Sequence, residues 1–122
     1  MLTYRIEEEE GIVLIDLSGP ITREALGALT GDVDSYLARK GTIQGLIVHT
    51  RSFPRWQDLS SFLRDMRFVL AYERRIRRVA SVTDSPLLMM VHGIVRHVFS
   101  PEIRHFRYGD LEAARKWIRE RG

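Results

Sequence analysis

The sequence predicts an α/β protein in which short apolar strands alternate with amphipathic helices. Two observations predict this class. Two β-branched segments at the N-terminus have the pattern of a hairpin, and short apolar runs then alternate with segments whose apolar residues recur every three or four positions. Such alternation is typical of a mostly parallel sheet with right-handed crossovers. At 122 residues, 44% hydrophobic and 29% charged, the chain is expected to form a single domain over residues 1–122.

The expected order of elements is β-β-α-β-α-β-α-β-α. Residues 3–8 and 12–18 form a hairpin, so the first strand is an antiparallel edge of a five-stranded sheet. The first helix opens near Thr22 and ends at Gly41, a typical C-cap. The other strands are short apolar runs, at 43–50, 77–84 and 102–107. The other helices follow the N-cap residues Asp58, Ser85 and Asp110 and are expected at 59–72, at 86–98 and from 111 onward.

Composition and residue spacing exclude several functional classes. The chain has no cysteine, hence no disulfide or thiolate metal site. His92 and His97 lie on different faces of their predicted helix, and His105 has no acidic neighbour in the sequence, so we expect no metal and no cofactor. Residues 1–10 do not resemble a signal peptide, and no apolar run approaches the roughly 20 residues of a membrane span. We therefore expect a cytoplasmic protein.

Short motifs occur in order along nearly the whole chain. They are residues 17–24 at the entry to the first helix, Phe53, Trp56 and Asp65 around the second, and the segments 79–84, 102–106 and 113–118. Together they resemble the SpoIIAA-like, or STAS-like, family of small bacterial proteins. The resemblance implies a sheet and helices wound as a βα superhelix, in proteins that are generally not enzymes.

The resemblance also implies a regulatory site. In STAS relatives that antagonise anti-sigma factors, a partner kinase phosphorylates a serine of an Asp-Ser-Ser-Gly motif at the start of the second helix. Residues 58–61 are Asp, Leu, Ser and Ser in this chain, which aligns Ser60 with the phosphoacceptor. Leu59 and Ser61 depart from the motif. Because serine and aspartate are also ordinary residues of a helix's first turn, a purely structural role for Ser60 stays open.

The helices predicted at 59–72 and 86–98 carry more apolar surface than one sheet face covers. Packing in the core, a second subunit in a homodimer, or a small apolar ligand held between the two helices would each cover it. Methionine adapts to irregular cavities, and loop aromatics anchor partners. The residues predicted for a ligand site or an interface are Phe53, Trp56, Phe62, Met66, Met89 and Met90.

Four arginines crowd into five positions: Arg74, Arg75, Arg77 and Arg78. They form either a solvated corner between a helix and a strand or a docking patch for a regulatory protein partner. The basic sequence pI of 9.7 permits nucleic-acid binding. However, no nucleic-acid recognition motif accompanies the charge, so the sequence argues against that class.

A hydrolase would recruit Ser52 or Ser60 as nucleophile, His49 as base and Asp84 as the carboxylate that orients the histidine. The chain lacks the G-x-S-x-G elbow that exposes such a serine. We expect instead that His49 packs or hydrogen-bonds at a strand end. The sequence therefore predicts a non-enzymatic STAS-like binding domain for a small apolar ligand, and the alternative is a protein-interaction module switched at Ser60.

Overall fold

A computed structural model describes residues 2–18, 22–51, 73–86, 90, 93 and 101–120. Five strands form one sheet in the order β1-β2-β3-β4-β5. They are β1 (Leu2–Glu7), β2 (Ile12–Leu17), β3 (Ile43–Thr50), β4 (Ile76–Thr83) and β5 (Glu102–Phe106). Strands β1 and β2 are antiparallel, and the other neighbours are parallel. The α/β class and the antiparallel N-terminal edge strand are thereby confirmed.

Two helices are described along most of their length, α1 (Arg23–Lys40) and α2 (Leu111–Arg119). The helix predicted at 59–72 lies outside the described residues. Of the helix predicted at 86–98, Pro86, Met90 and Gly93 are described, and all three are helical. A short 3₁₀ helix, Glu73–Arg75, leads directly into β4.

The core consists of two apolar clusters on opposite faces of the sheet. Ile12 belongs to one cluster and Val13 to the other, and successive side chains of a strand point to opposite faces. One cluster joins the sheet to α1 through Leu29, Val33 and Leu37. The other joins it to α2 through residues that include Ala114, Trp117 and Ile118. The sheet is therefore covered by α1 on one face and by α2 on the other.

Local capping explains the bounds of α1. The side chain of Thr22 accepts a hydrogen bond from the Ala25 amide at 3.1 Å, as an N-cap residue does. Gly41 ends the helix with a φ of 84°, and its N–H donates to the carbonyl of Leu37 at 2.8 Å. Asp110 precedes α2 as predicted, but its side chain makes no capping hydrogen bond.

The acidic turn between β1 and β2 is paired with arginines of both helices. Three ion pairs connect it: Glu7 with Arg115, Glu8 with Arg39, and Glu10 with Arg119. The hydrogen bond from Arg119 lowers the pKa of the Glu10 carboxyl. The edge of the sheet where the parallel strands begin is thus occupied by contacts that hold the fold together.

Tyr4 should make the stability of the fold pH-dependent in alkaline solution. Its hydroxyl donates to the Asp32 carboxylate on α1, which raises the pKa of the phenol. A phenol whose pKa is raised in the folded state stabilises the fold at pH values below its unfolded pKa of about 10. This stabilisation is lost as the pH rises through the folded pKa. Denaturant titrations should therefore show Tyr4→Phe to be less stable than wild type near pH 8, by about 0.5–1 kcal/mol for a bond that water screens, and the gap should close above pH 10.

Asp32→Asn provides the matched control for Tyr4. It removes the negative charge on the acceptor, so the Tyr4 phenol should ionise at a lower pH than in wild type, measured by ultraviolet absorbance. An unchanged phenol titration in Asp32→Asn would contradict the assigned cause.

Candidate functional site

Polar side chains gather where the parallel strands of the sheet end. Asp16 lies near the end of β2 and His49 near the end of β3, and the two residues are direct register partners. Arg51 follows β3, Asp84 follows β4 and Tyr108 follows β5. We call these five residues the edge cluster. Ligands of open α/β sheets bind beyond the carboxyl ends of the strands, which makes this edge the candidate site.

His49 is held at both ring nitrogens. Its Nδ1 lies 3.1 Å from Oδ2 of Asp16, and its Nε2 lies 3.0 Å from the backbone carbonyl oxygen of Tyr108. The histidine side chain is 12% exposed, whereas that of Asp16 is 42% exposed. The prediction that His49 hydrogen-bonds at a strand end is therefore confirmed, and both nitrogens that a general base would use are engaged.

Tyr108 is the centre of the edge cluster. Its ring stacks on His49, with centroids 4.3 Å apart and planes 14° apart. The guanidinium carbon of Arg51 lies 5.0 Å from the centroid of the same ring, within cation–π range. The backbone N–H of Tyr108 donates to Oδ1 of Asp84 at 3.1 Å. The turn between β5 and α2 is thereby connected to the ends of β3 and β4.

Residues at the end of β4 contact the backbone next to the edge cluster. The buried Thr83 hydroxyl contacts the carbonyl of Arg51 at 3.5 Å and accepts from the Ser85 amide at 3.0 Å. His105 places its Nε2 2.8 Å from the Thr83 carbonyl. These contacts hold the Arg51 carbonyl and the backbone on either side of Asp84.

The arrangement differs from the one predicted for a hydrolase. Asp84, predicted to orient His49, accepts the Tyr108 amide instead, and the carboxylate on His49 is Asp16. Both serines considered as nucleophile, Ser52 and Ser60, lie outside the described residues. Within the part of the chain that the structure describes, no group of three or more acidic or histidine side chains could hold a metal ion.

Arg75, in the basic corner, donates to the end of α1. Its Nε donates to the carbonyl of Gly41 and its Nη2 donates to the carbonyl of Leu37, both at 2.9 Å. The Leu37 carbonyl thus accepts a second hydrogen bond beside that of the Gly41 amide, and the Gly41 carbonyl, just past the helix, gains a donor. Arg74 lies beside Arg75 and is exposed.

Arg78 and Arg77 serve the end of α2 in the same way. The Arg78 side chain, 7% exposed, donates to the carbonyls of Trp117 and Glu120 and forms an ion pair with Glu102 at 3.1 Å. Arg77 also donates to Glu120, at 3.1 Å. In the predicted docking patch, Arg75, Arg77 and Arg78 therefore bind helix ends, and Arg78 is buried. Arg74, Arg75 and Arg77 are exposed.

Most of the ligand or interface residues predicted from the sequence lie outside the described residues. Met90 is described and is 53% exposed. The others lie outside the described residues, as does the predicted phosphoacceptor, and all of them therefore stay predictions: Phe53, Trp56, Ser60, Phe62, Met66 and Met89. None of the described helices combines the length and the apolar character that a membrane span requires.

Sequence reasoning missed Asp16, Arg51 and Tyr108 as members of the site. The one available signal was Asp16, a charged residue inside the otherwise apolar run of β2. A lone charge in a buried strand calls for a partner, because burial of an unpaired charge is costly. Nothing comparable marks Arg51 or Tyr108, which follow their strands as ordinary loop residues.

Comparison with known proteins gives one match. The model of the SpoIIAA-like family matches residues 12–119, from the start of β2 to the end of α2. Searches among curated proteins and among solved structures each found no significant match. The matched range contains every residue of the edge cluster.

Proposed function

Because the chain belongs to the SpoIIAA-like family, we propose that it is a non-catalytic STAS-type domain that recruits a regulatory protein partner through its edge cluster. The proposal follows from the resemblance to STAS proteins, of which the better understood members antagonise anti-sigma factors. The proposal concerns where the partner docks and which side chains it meets.

The observation that carries the proposal is the composition of the edge cluster. It presents an exposed cation, Arg51, over the half-buried ring of Tyr108 and an exposed anion, Asp84, at the backbone amide of the same residue. Arginine and tyrosine are enriched at protein interfaces, and charges of both signs select a complementary partner. Four backbone segments hold these groups in place, so little conformational freedom is lost on docking.

The same geometry argues against catalysis at this edge. A general base needs a free ring nitrogen within reach of the proton that it abstracts. In the structure both nitrogens of His49 instead face acceptors, Asp16 and the Tyr108 carbonyl, which is the geometry of a protonated ring that has no lone pair to offer as a base. A fully hydrogen-bonded network of this kind suits a binding surface, because it keeps the surface rigid.

Ser60 remains part of the proposal as its switch. It lies nine positions after Arg51 in the sequence, and Arg51 directly follows β3. A phosphate on Ser60 would add nearly two negative charges and three acceptor oxygens to that segment. Recruitment of the partner would then depend on the phosphorylation state.

An apolar ligand is the second candidate, and the exposure of Met90 favours it. Met90 is the exposed large hydrophobic residue of the described part of the chain, and it belongs to the apolar helix predicted at 86–98. An exposed methionine on such a helix suits a lipid-like molecule or an apolar partner surface. A homodimer would cover the same residue.

Affinity capture from source-cell extract tests the docking edge. We expect tagged wild-type protein to recover a partner that Arg51→Glu recovers at least about tenfold less well, because like charges at an interface cost well over 1.4 kcal/mol. Glu9→Arg, a charge reversal at the opposite edge of the sheet, should recover the partner at the wild-type level. Ser60→Asp should change the recovery if that serine is the switch.

Three results would count against the docking proposal. Equal recovery by wild type and Arg51→Glu would place the partner elsewhere, and a loss caused by Glu9→Arg would move it to the acidic turn. If no protein is recovered while native mass spectrometry of the purified domain finds a bound apolar compound, the ligand function replaces the docking function. Circular dichroism of each variant verifies that the fold is retained.

A further inference from the structure

His49 connects two parts of the fold that are far apart in sequence. Through Asp16 it contacts β2, and through the Tyr108 carbonyl it contacts the turn that leads into α2. These contacts span 33 and 59 positions of the chain. The imidazole is therefore the bridge between the N-terminal half of the sheet and the start of the last helix.

Both partners of the ring are acceptors. The backbone carbonyl of Tyr108 can only accept, and the Asp16 carboxylate, 42% exposed and in contact with water, accepts in its ionised form. A neutral imidazole carries one N–H and can therefore donate to only one of the two, whereas the imidazolium carries two. The observed pair of contacts at 3.1 and 3.0 Å matches the donors of the protonated ring.

We propose that His49 is a proton-controlled latch, which ties β2 to the β5–α2 turn when protonated and releases the turn when neutral. The hydrogen bond to the Tyr108 carbonyl is the one that is lost, because a hydrogen bond to the ionised Asp16 carboxylate is stronger than one to a neutral carbonyl. The single N–H of the neutral ring therefore stays on Asp16. The Tyr108 carbonyl then loses its donor, while its amide stays on Asp84.

The groups that surround the latch come from every element packed against it. Asp16 faces His49 from β2, and the register neighbour of His49 on β4 is the apolar Val82. Tyr108 covers the ring from the β5–α2 turn, with Arg51 over the tyrosine and Asp84 on its amide. Between pH 5.5 and 8 the imidazole is the side chain of this set whose type ordinarily changes charge.

The latch also bears on docking. Tyr108 is the centre of the edge cluster, so a turn that is tied at acid pH and released at alkaline pH would present the ring and Asp84 differently to a partner. This consequence rests on the proposed function. The latch itself is a property of the isolated domain.

Nuclear magnetic resonance of the isotope-labelled full chain tests the latch without any partner. At pH 5.5 we expect protons on both ring nitrogens of His49, and at pH 8 on Nδ1 alone. The amide of Gly109, whose peptide group contains the Tyr108 carbonyl, should shift over the same range with the midpoint of the His49 ring. His49→Gln should abolish that shift, and His105→Gln, which changes the other described histidine, should retain it.

The proposal is overturned by a neutral His49 ring at pH 5.5, or by a Gly109 shift that persists in His49→Gln. Different midpoints for His49 and Gly109 in the wild-type protein would also overturn it, and this comparison requires no variant to fold. Loss of partner capture by the Arg51 variant does not bear on these signals. The latch and the docking edge can thus fail separately.

Discussion

Replacing Gly45 with alanine is expected to lower the free energy of unfolding by about 1–3 kcal/mol, the range typical of an overpacked core. A β carbon at position 45 would lie 2.4 to 2.7 Å from three side-chain atoms of Ile118. Ile118 is 1% exposed and β-branched, so its side chain has little freedom to turn away. The methyl group would therefore push α2 away from β3.

A second glycine and a double variant control for this effect. Gly27→Ala, in the exposed part of α1 with no atom within 4 Å of the added carbon, should stabilise the fold by about 0.5–1 kcal/mol through helix propensity. Ile118→Ala removes the three crowded atoms, so the double variant should be more stable than the sum of the two single losses predicts. Urea denaturation of wild type and the four variants gives their free energies of unfolding. A Gly45→Ala protein as stable as wild type would contradict the close contact.

Replacing Arg78 with methionine is expected to cost about 1.5–3 kcal/mol, because it removes the charged donor of the buried Trp117 carbonyl and leaves the Glu120 amide, at 3.2 Å, as the donor to that oxygen. Methionine preserves much of the volume beside the ring of Trp117, over which the guanidinium lies at 5.0 Å. What it removes is the set of hydrogen bonds to Trp117, Glu120 and Glu102. The loss should fall on the end of α2.

Arg74→Met is the matched control in the same basic corner. Arg74 is exposed, and an exposed substitution of this kind should change the stability by less than about 0.5 kcal/mol. Hydrogen exchange should show faster exchange in α2 of Arg78→Met and no change in Arg74→Met. Equal stability of the two variants would mean that water replaces the Arg78 donors at no cost.

The strands and α1 were predictable because their signals are local. Thr22 and Gly41 mark the ends of α1 through bonds to residues three or four positions away. The bounds predicted for β3 agree with the structure. Strand β4 begins and ends one residue earlier than predicted, and β5 ends one residue earlier. Asp110 was the exception, since an N-cap residue type does not guarantee the side-chain geometry of a cap.

The edge cluster was only partly predictable. The sequence places His49 and Asp84 at the ends of neighbouring strands, which is correct. Which carboxylate faces His49 depends on strand register, and the register pairs Asp16 with it. A shift of one residue would turn Asp16 to the other face, and no local pattern specifies that choice.

By itself, the sequence determined the α/β class, the order of the strands along the chain and the edge where a site should form, because periodicity and caps act over a few residues. Only the tertiary structure decided the roles of individual charges. Arg75 and Arg78 bind helix ends, and Asp16 and Tyr108 meet at His49 across 33 and 59 positions. The physical reason is that these partners are brought together by the pairing of strands and the packing of helices, which depend on the whole chain.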